Sequence, residues 1–201
     1  MDNLVVELTE KDFKDVDGIV VPGGFGDRGI DGKLLAIQYA RENKVPFLGI
    51  GLGMQCAVIE FARNVLGYAD ANSTEMDEKT THPVIDLMEE QKAVLDMKEN
   101  MRLGSYECVL TQGNKVFEAY GKEHIQERHR HRYEVNQAFK EQVEKGGLVI
   151  SGTSPDGELV EFVESKNTDF FIATQGHPEY RSRPYRAHPL FEGLVRAASK
   201  E

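Results

Sequence analysis

The segment from residue 45 to residue 66 constrains the fold of this chain most strongly. Residues 45–50 form an apolar run, Gly49, Gly51 and Gly53 crowd the turn after it, and apolar residues then recur at helical spacing. The residues on this apolar helix face are Met54, Ala57, Val58, Phe61, Ala62 and Val65. The pattern predicts a buried strand that runs through a tight turn into an amphipathic helix, with position 51 at the tip of the turn.

A turn of this form has a known chemical use. In α/β enzymes a strand–turn–helix holds a nucleophilic Ser or Cys at its tip, and small flanking residues let the backbone pass close to other elements. Position 51 is glycine, so it has no side chain that could attack a substrate. A tight turn without chemistry is therefore an alternative interpretation of this segment.

A second chemical signal follows a later apolar segment. His177 is followed two residues on by Glu179. A carboxylate at that spacing can orient an imidazole that acts as a general base. The motif is weak evidence alone, and it gains weight only from the turn at residue 51.

The remaining patterns predict an α/β fold. Strands are predicted at residues 18–22, 107–111, 148–151, 158–163 and 170–174. Helices are predicted at residues 31–43 and 190–198, and a further one is capped by Asn136 and ends at Gly146. Strands and helices alternate early and strands dominate late. We therefore expect a mainly parallel open sheet with helices on both faces and an antiparallel element. With no repeat or linker in the sequence, residues 1–201 are predicted to form a single domain.

Charge and composition narrow the functional classes. The formal net charge of −10 opposes binding to nucleic acid or to an anionic membrane. No apolar run approaches the roughly 20 residues of a membrane span. The first residues do not resemble a signal peptide, and Cys56 and Cys108 form no recognisable disulfide framework. We therefore expect a reduced, cytoplasmic setting.

Two further segments allow several interpretations. The glycine-rich loop at residues 23–29 lacks the spacing of nucleotide-binding motifs, and its N–H groups could converge on an anion or form an ordinary flexible turn. The basic segment at residues 127–134 could contact nucleic acid, or bind a metal through His129 and His131. It could also clamp a substrate carboxylate with one Arg, or be a solvated loop.

Together these segments resemble the glutaminase domains of CTP synthases, which are class-I, triad-type glutamine amidotransferases. The similar segments run in order along nearly the whole chain, at residues 21–29, 49–55, 71–75, 101–104, 127–136, 151–157 and 177–184. The first, second and last are typical of class-I amidotransferases in general. The segments at 72–75 and 128–134 point to CTP synthases in particular.

The resemblance implies a reaction and its partners. In that family a Cys thiolate attacks the side-chain amide of glutamine, ammonia leaves, and water hydrolyses the glutamyl thioester. The ammonia passes to a separate synthetase domain, which uses ATP and Mg²⁺ to convert UTP to CTP. No cofactor is implied for the glutaminase domain itself. The implied partners are glutamine and the synthetase domain, and a homo-oligomer is left open because the synthetase domain largely sets the oligomeric state.

The resemblance also implies roles for individual residues. His177 would be the base and Glu179 its orienter, with Gly51 standing where the family has the nucleophilic Cys. The backbone N–H groups of Gly24 and Leu52 would form the oxyanion hole.

Four other residues would hold the amino-acid end of glutamine. They are Gln55, Glu75, Arg132 and Tyr133. Glu75 would suit the ammonium group of the substrate and Arg132 its carboxylate, pairings that also make electrostatic sense without the family.

Departures from the family pattern set further expectations. Without a thiolate at Gly51 no thioester can form, so we expect an inactive glutaminase; the alternatives are a glutamine-binding or regulatory module, or a redesigned scaffold. Gly176 stands where the family has an aromatic residue, so extra volume is expected near His177, and Phe at position 176 should stabilise the fold. Only residues 4–8 precede the strand at 18–22, so an N-terminal strand and helix of the family would be missing.

Overall fold

The computed structural model describes residues 8–88 and 101–199. Strands β1 to β10 are Ile19–Val21, Phe47–Ile50, Asn72–Ser73, Pro83–Asp86, Arg102–Leu110, His124–His131, Glu134–Val135, Leu148–Thr153, Val160–Ser165 and Phe171–Thr174. Helices α1 to α5 are Ile30–Asn43, Leu52–Asn64, Lys115–Tyr120, Gln137–Gly146 and Pro189–Ala198. Short 3₁₀ helices cover Glu10–Phe13 and Pro178–Tyr180.

Seven strands form the main sheet, in the order β1-β2-β10-β9-β8-β5-β6. Strand β2 pairs in parallel with β1 and with β10, and the remaining four pairings are antiparallel. Strands β3, β4 and β7 form a small second sheet. The predicted α/β class is confirmed, but the antiparallel part is larger than a mainly parallel sheet would allow. The cause is two hairpin-like pairings, β5 with β6 and β8 with β9.

Alternate residues of the central strands face two separate cores. Phe47 and Phe171 face one core with helices α1, α2 and α4, whereas Leu48 and Ile172 face the other with α3 and α5. Both faces of the sheet are therefore covered by helices, as predicted. Because β2 and β10 are buried on both sides, their sequences are apolar throughout, except for Thr174 at the end of β10.

Most predicted elements are present with shifted ends. The predicted amphipathic helix after the turn at residue 51 is α2. The predicted cap is confirmed, because the Asn136 side chain accepts a hydrogen bond from the N–H of Ala138 at 3.0 Å. The sequence does not predict strand β6, because its charged residues form no apolar run. The expectation for residues 4–8 lies almost entirely outside the described residues. Within the described ranges no helix is long and apolar enough to cross a bilayer.

Candidate active site

The turn at Gly51 is sharp and tightly packed. Gly51 has φ 52° and ψ −110°, a left-handed conformation that strains any residue with a side chain. Its N–H donates to the carbonyl of Thr174 at 2.8 Å, which ties the turn to β10. A Cβ atom on Gly53 would collide with the carbonyl oxygen of Val21, and one on Gly49 would lie 2.9 Å from the carbonyl oxygen of Gly53. The flanking glycines therefore let helix α2 start directly against β1.

His177 lies opposite the tip of this turn. Its N–H donates to the carbonyl of Arg128 at 2.7 Å, and its ring stacks on Tyr180 with 5.1 Å between centroids. Its Nδ1 atom lies 2.6 Å from Oε1 of Glu179. A Cβ atom built on Gly51 would lie 3.1 Å from Nε2 of His177. The histidine thus has one nitrogen on a carboxylate and the other aimed at position 51.

The hydrogen bond also governs the charge of the carboxylate. Burial alone would raise the pKa of Glu179, but hydrogen bonds from His177 and from its own backbone outweigh burial and lower it. Glu179 therefore stays ionised around neutral pH. An ionised carboxylate keeps a proton on Nδ1 and leaves the Nε2 lone pair free to act as a base.

The expected extra volume near His177 is not found. A Cβ atom on Gly51 would already be in close contact with the imidazole, at 3.1 Å from Nε2 and 3.2 Å from Cε1. A Cβ atom on Gly176 would lie 2.9 Å from Cβ of Glu127 and 3.4 Å from Oγ1 of Thr174. The idea of a hollowed site is therefore wrong, because strand β6 and the imidazole fill the space. Phe at position 176 has no room unless β6 moves.

Two backbone segments flank the turn where an oxyanion hole is predicted. Leu52 is the first residue of α2, so its N–H has no acceptor within the helix and lies at the positive end of the helix dipole. A Cβ atom on Gly24 would lie 3.3 Å from Cδ2 of Leu52, and one on Gly23 only 2.7 Å from Cε1 of His177. The glycine-rich loop therefore passes directly beside position 51.

A pocket opens above the turn and collects the residues predicted to hold the substrate. It is lined by Gly24, Phe25, Gly51, Leu52, Gln55, Glu75, Arg130, His131, Arg132, Tyr133 and His177. Of the residues assigned a role at the site from the sequence, only Glu179 does not line the pocket, because it lies behind His177. The segments that supply this lining are separated by up to more than a hundred residues in sequence, and the fold brings them together.

Two of the predicted substrate-holding residues, Gln55 and Glu75, are held in place by hydrogen bonds of their side chains. Nε2 of Gln55 donates to the Tyr133 carbonyl at 3.1 Å, and Oε1 of Glu75 accepts from the N–H of Gly26 at 3.1 Å. Burial and the nearby Glu75 charge raise the pKa of Tyr133, and Arg132 opposes this effect. Negative and positive side chains thus lie around Tyr133, which suits a zwitterionic amino acid.

The basic segment forms strand β6 and the bend after it. Inward residues His129 and His131 are buried, whereas Arg128 and Arg130 point outward and Arg132 reaches the pocket. The solvated-loop interpretation is wrong, since the segment pairs with β5. The metal interpretation is unsupported, because no cluster of metal-ligating side chains occurs among the described residues.

Sequence reasoning missed three residues of the pocket. They are Phe25, Arg130 and His131. The guanidinium of Arg130 lies over the ring of Phe25, with Cζ of Arg130 5.2 Å from the ring centroid. The strict alternation of Arg with His and Glu along residues 127–132 could have found Arg130 and His131, because it places Arg on one face and His on the other. The sequence offers no such signal for Phe25.

Neither cysteine can replace the nucleophile. Cys56 is fully buried in α2, and burial raises the pKa of its thiol to about 12. Cys108 is buried in β5, where burial and nearby carboxylates raise the pKa of its thiol above that of Cys56. Both thiols are therefore protonated at neutral pH and point into the cores.

Comparison with known proteins agrees with this geometry. Residues 2–197 match the family model of class-I glutamine amidotransferases. The chain is 60% identical over 198 residues to the CTP synthase of Fibrobacter succinogenes and 55% identical over 197 residues to that of Bacillus subtilis. Each match covers 98% of this chain but only 35% and 36% of the relative, so the chain spans about a third of these curated relatives.

One solved structure shows the same relationship, and a second shares the fold. The CTPS glutaminase domain of Trypanosoma brucei, solved with bound acivicin, superposes with a TM-score of 0.89 at 42% identity, covering 96% of this chain and 74% of that one. A glutamine amidotransferase of Thermotoga maritima superposes with a TM-score of 0.53 at 14% identity, covering 99% of this chain and 81% of that one. The second likeness shows a shared fold alone.

Proposed function

Because the chain belongs to the class-I glutamine amidotransferase family, as a glutaminase domain of the CTP synthase type, we propose that it binds glutamine beside Gly51 without hydrolysing it. The observation that carries this proposal is the placement of Gly51. Its Cβ direction faces Nε2 of a His177–Glu179 pair, 3.1 Å away, yet it bears no nucleophile.

The charges of the pocket suggest how glutamine lies in it. Arg132 offers the planar pair of N–H donors that suits the α-carboxylate, and Glu75 offers the negative charge that suits the α-ammonium group. Gln55 and Tyr133 form part of the pocket wall beside Arg132 and Glu75. The side chain of glutamine then extends toward Gly51, where its amide oxygen would accept hydrogen bonds from the N–H groups of Gly24 and Leu52.

The missing step is formation of the thioester. Hydrolysis by this family's route needs a thiolate that attacks the amide carbon, and the side chain of Gly51 supplies no atom for that bond. In a serine protease, loss of the nucleophile alone costs about 10⁶ in kcat. We therefore expect turnover by this chain to be lost, while binding of the substrate persists.

Its place in a larger enzyme is part of the proposal. The curated relatives are about three times as long as this chain, and they are CTP synthases. A glutaminase domain with a nucleophile would supply ammonia to a synthetase domain that aminates UTP with ATP and Mg²⁺. This chain would keep the glutamine-binding part of that arrangement.

Titration calorimetry with glutamine tests the proposal. We expect saturable binding of glutamine and at least tenfold weaker binding of asparagine, whose amide cannot reach the turn. Arg132→Gln should weaken glutamine binding at least tenfold. Arg128→Gln is the matched control on the same segment, because Arg128 is exposed and does not line the pocket. Absence of binding, or equal losses in the two variants, would contradict the proposed pocket and favour a scaffold without a ligand.

A further inference from the structure

Behind the pocket lies a buried ring of five ionisable side chains. Arg102 of β5 donates to Oε1 of Glu134 at 3.0 Å and to Oε1 of Glu161 at 2.8 Å. The ring closes through His129 and His131, with Nδ1 of His129 2.9 Å from Nε2 of His131. All five side chains are at least 90% buried. A ring this deep must be electrically neutral or nearly so, because an unpaired buried charge is costly.

The direction of each hydrogen bond in the ring is fixed from one end. Nδ1 of His131 lies 3.2 Å from the Tyr133 carbonyl and 3.5 Å from Oε1 of Glu134. A carbonyl oxygen can only accept, so His131 must carry its proton on Nδ1. Burial lowers the pKa of His131 well below its usual value, so its Nε2 is unprotonated and accepts from Nδ1 of His129.

The same logic reaches Glu161. Burial, and to a smaller extent the charge of Arg102, lower the pKa of His129 to about 3, so the imidazole of His129 is also neutral. Its Nε2 atom therefore carries a lone pair and no proton. That lone pair faces Oε2 of Glu161 at 3.5 Å, and Oε2 has no hydrogen-bond partner among the described residues. Two lone pairs facing each other in a dry interior repel. A proton between them, carried by the carboxyl group, removes the conflict.

We propose that Glu161 is held as a neutral carboxylic acid, and that it acts as a positioning residue that fixes the substrate-binding bend at Arg132 and Tyr133 through His129 and His131. This role rests on the proposed glutamine pocket. The proton on Oε2 of Glu161 is donated to Nε2 of His129, and the series of donors ends on the Tyr133 carbonyl. The same carbonyl accepts from Gln55, so the ring and the pocket share one atom.

The charges around the ring agree with one retained proton. Burial raises the pKa of both carboxyl groups, and Arg102 opposes the rise in each. Because the two groups share one guanidinium, one of them can stay ionised while the other keeps its proton. Arg102 with ionised Glu134 and neutral Glu161 leaves no net charge. The other titratable groups near the ring are Tyr106 and Cys108 of β5, Asp156 in the β8–β9 turn and His177.

The ring itself is tested by ¹⁵N NMR of the assigned imidazole groups at neutral pH, without glutamine. We expect His129 and His131 both to be neutral and both to carry the proton on Nδ1. A doubly protonated His129, or either ring protonated on Nε2, would overturn the proposal. This measurement does not depend on glutamine binding, so it separates failure of the ring from failure of the proposed function.

The positioning role is tested by glutamine affinity measured from neutral to alkaline pH. Wild-type affinity should fall steeply on the alkaline side, up to tenfold per pH unit, as Glu161 ionises against His129. Glu161→Gln keeps a donor toward His129 and an acceptor for Arg102, so its affinity at neutral pH should stay within about threefold, and the excess alkaline loss should vanish.

Glu134→Gln is the matched variant on the other carboxylate. It removes the only negative charge that the proposal assigns to the ring, so it should weaken binding at every pH. If Glu161→Gln and Glu134→Gln weaken binding equally at neutral pH, or if Glu161→Gln keeps the wild-type pH profile, Glu161 is not the protonated positioning residue.

Discussion

Nε2 of His177 lies 3.1 Å from the position that a Cβ atom on Gly51 would take. Oε1 of Glu179 holds the opposite nitrogen of that ring at 2.6 Å. This relationship joins the turn after β2 to the segment after β10, across more than a hundred residues of sequence. Any side chain placed at position 51 would therefore contact the imidazole of His177. The imidazole would have to move by a few tenths of an ångström to make room for that side chain.

Gly51→Cys is therefore expected to release glutamate from glutamine at a measurable rate. The thiol would lie within reach of His177, which can take its proton. The substitution should also lower stability by about 1–3 kcal/mol, because a side chain at φ 52° is strained. Coupled glutamate detection and chemical unfolding measure the two effects. Gly51→Ala is the control: it should show the same loss of stability and no glutamate release.

Should Gly51→Cys fold, bind glutamine and still release no glutamate above the alanine control, the His177–Glu179 pair is not a working base. A pH profile of the active variant gives a second check. Replacing Glu179 by Gln in that variant removes the carboxylate that holds Nδ1–H, and the rate should fall at least a hundredfold.

Gly176→Phe should destabilise the protein. The Cβ atom alone would come within 2.9 Å of Cβ of Glu127, which is an inner atom of a buried side chain on β6. Forced repacking of this kind typically costs about 1–3 kcal/mol. Thermal unfolding of the Phe and Ala variants measures it, and Ala should already show part of the loss. A higher melting temperature for Phe than for wild type would instead support a hollowed site.

Gly53→Ala should be more damaging than its position in a helix suggests. Its Cβ atom would collide with the Val21 carbonyl, so α2 would have to move away from β1. Gly32→Ala is the matched control in helix α1, where the new Cβ atom would meet only the flexible end of Leu8 at 3.2 Å. Replacing a helical glycine by alanine normally stabilises by about 0.5–1 kcal/mol. Equal melting temperatures for the two variants would contradict the close approach of α2 to β1.

The turn and the helix after it were predictable because their signals are local. Three glycines around position 51 and the apolar spacing along α2 specify the geometry without reference to the rest of the chain. The substrate-binding residues could be grouped only through the family resemblance, since Gln55, Glu75 and Arg132 lie on separate segments. Their common pocket is a result of the sheet order.

Strand β6 and the buried ring could not be predicted, for a related reason. A strand is recognised by apolar residues on its inner face, and beyond Ile125 the inner face of β6 carries Glu127, His129 and His131 instead. Those side chains can be buried only because Arg102, Glu161 and His188 meet them from other elements. The volume available around Gly176 could not be predicted from neighbouring residues in the sequence either, because the position of β6 determines it.

The ring also predicts how stability depends on pH. Below about pH 6.5 the unfolded chain takes up protons at His129 and His131 that the folded chain excludes, so stability rises with pH. A carboxyl group with a raised pKa, as burial gives Glu161, has the opposite effect: as the pH rises above the ordinary value of 4.5, the folded chain keeps a proton that the unfolded chain has released, and stability falls. Above pH 6.5 only this second effect remains, and stability should fall by up to about 1.4 kcal/mol per pH unit.

Urea unfolding at intervals from mildly acidic to mildly alkaline pH measures this profile. Wild type should be most stable near pH 6.5, where the uptake by unfolded His129 ends. Glu161→Gln should lose most of the decline above that pH, because it has no proton to release. Glu107→Gln is the control, since the Glu107 carboxylate is exposed and pairs with the exposed His124, 2.8 Å away. If Glu161→Gln declines as steeply as wild type and Glu107→Gln, the retained proton is not on Glu161, and the stability of the ring must come from Arg102 and Glu134 alone.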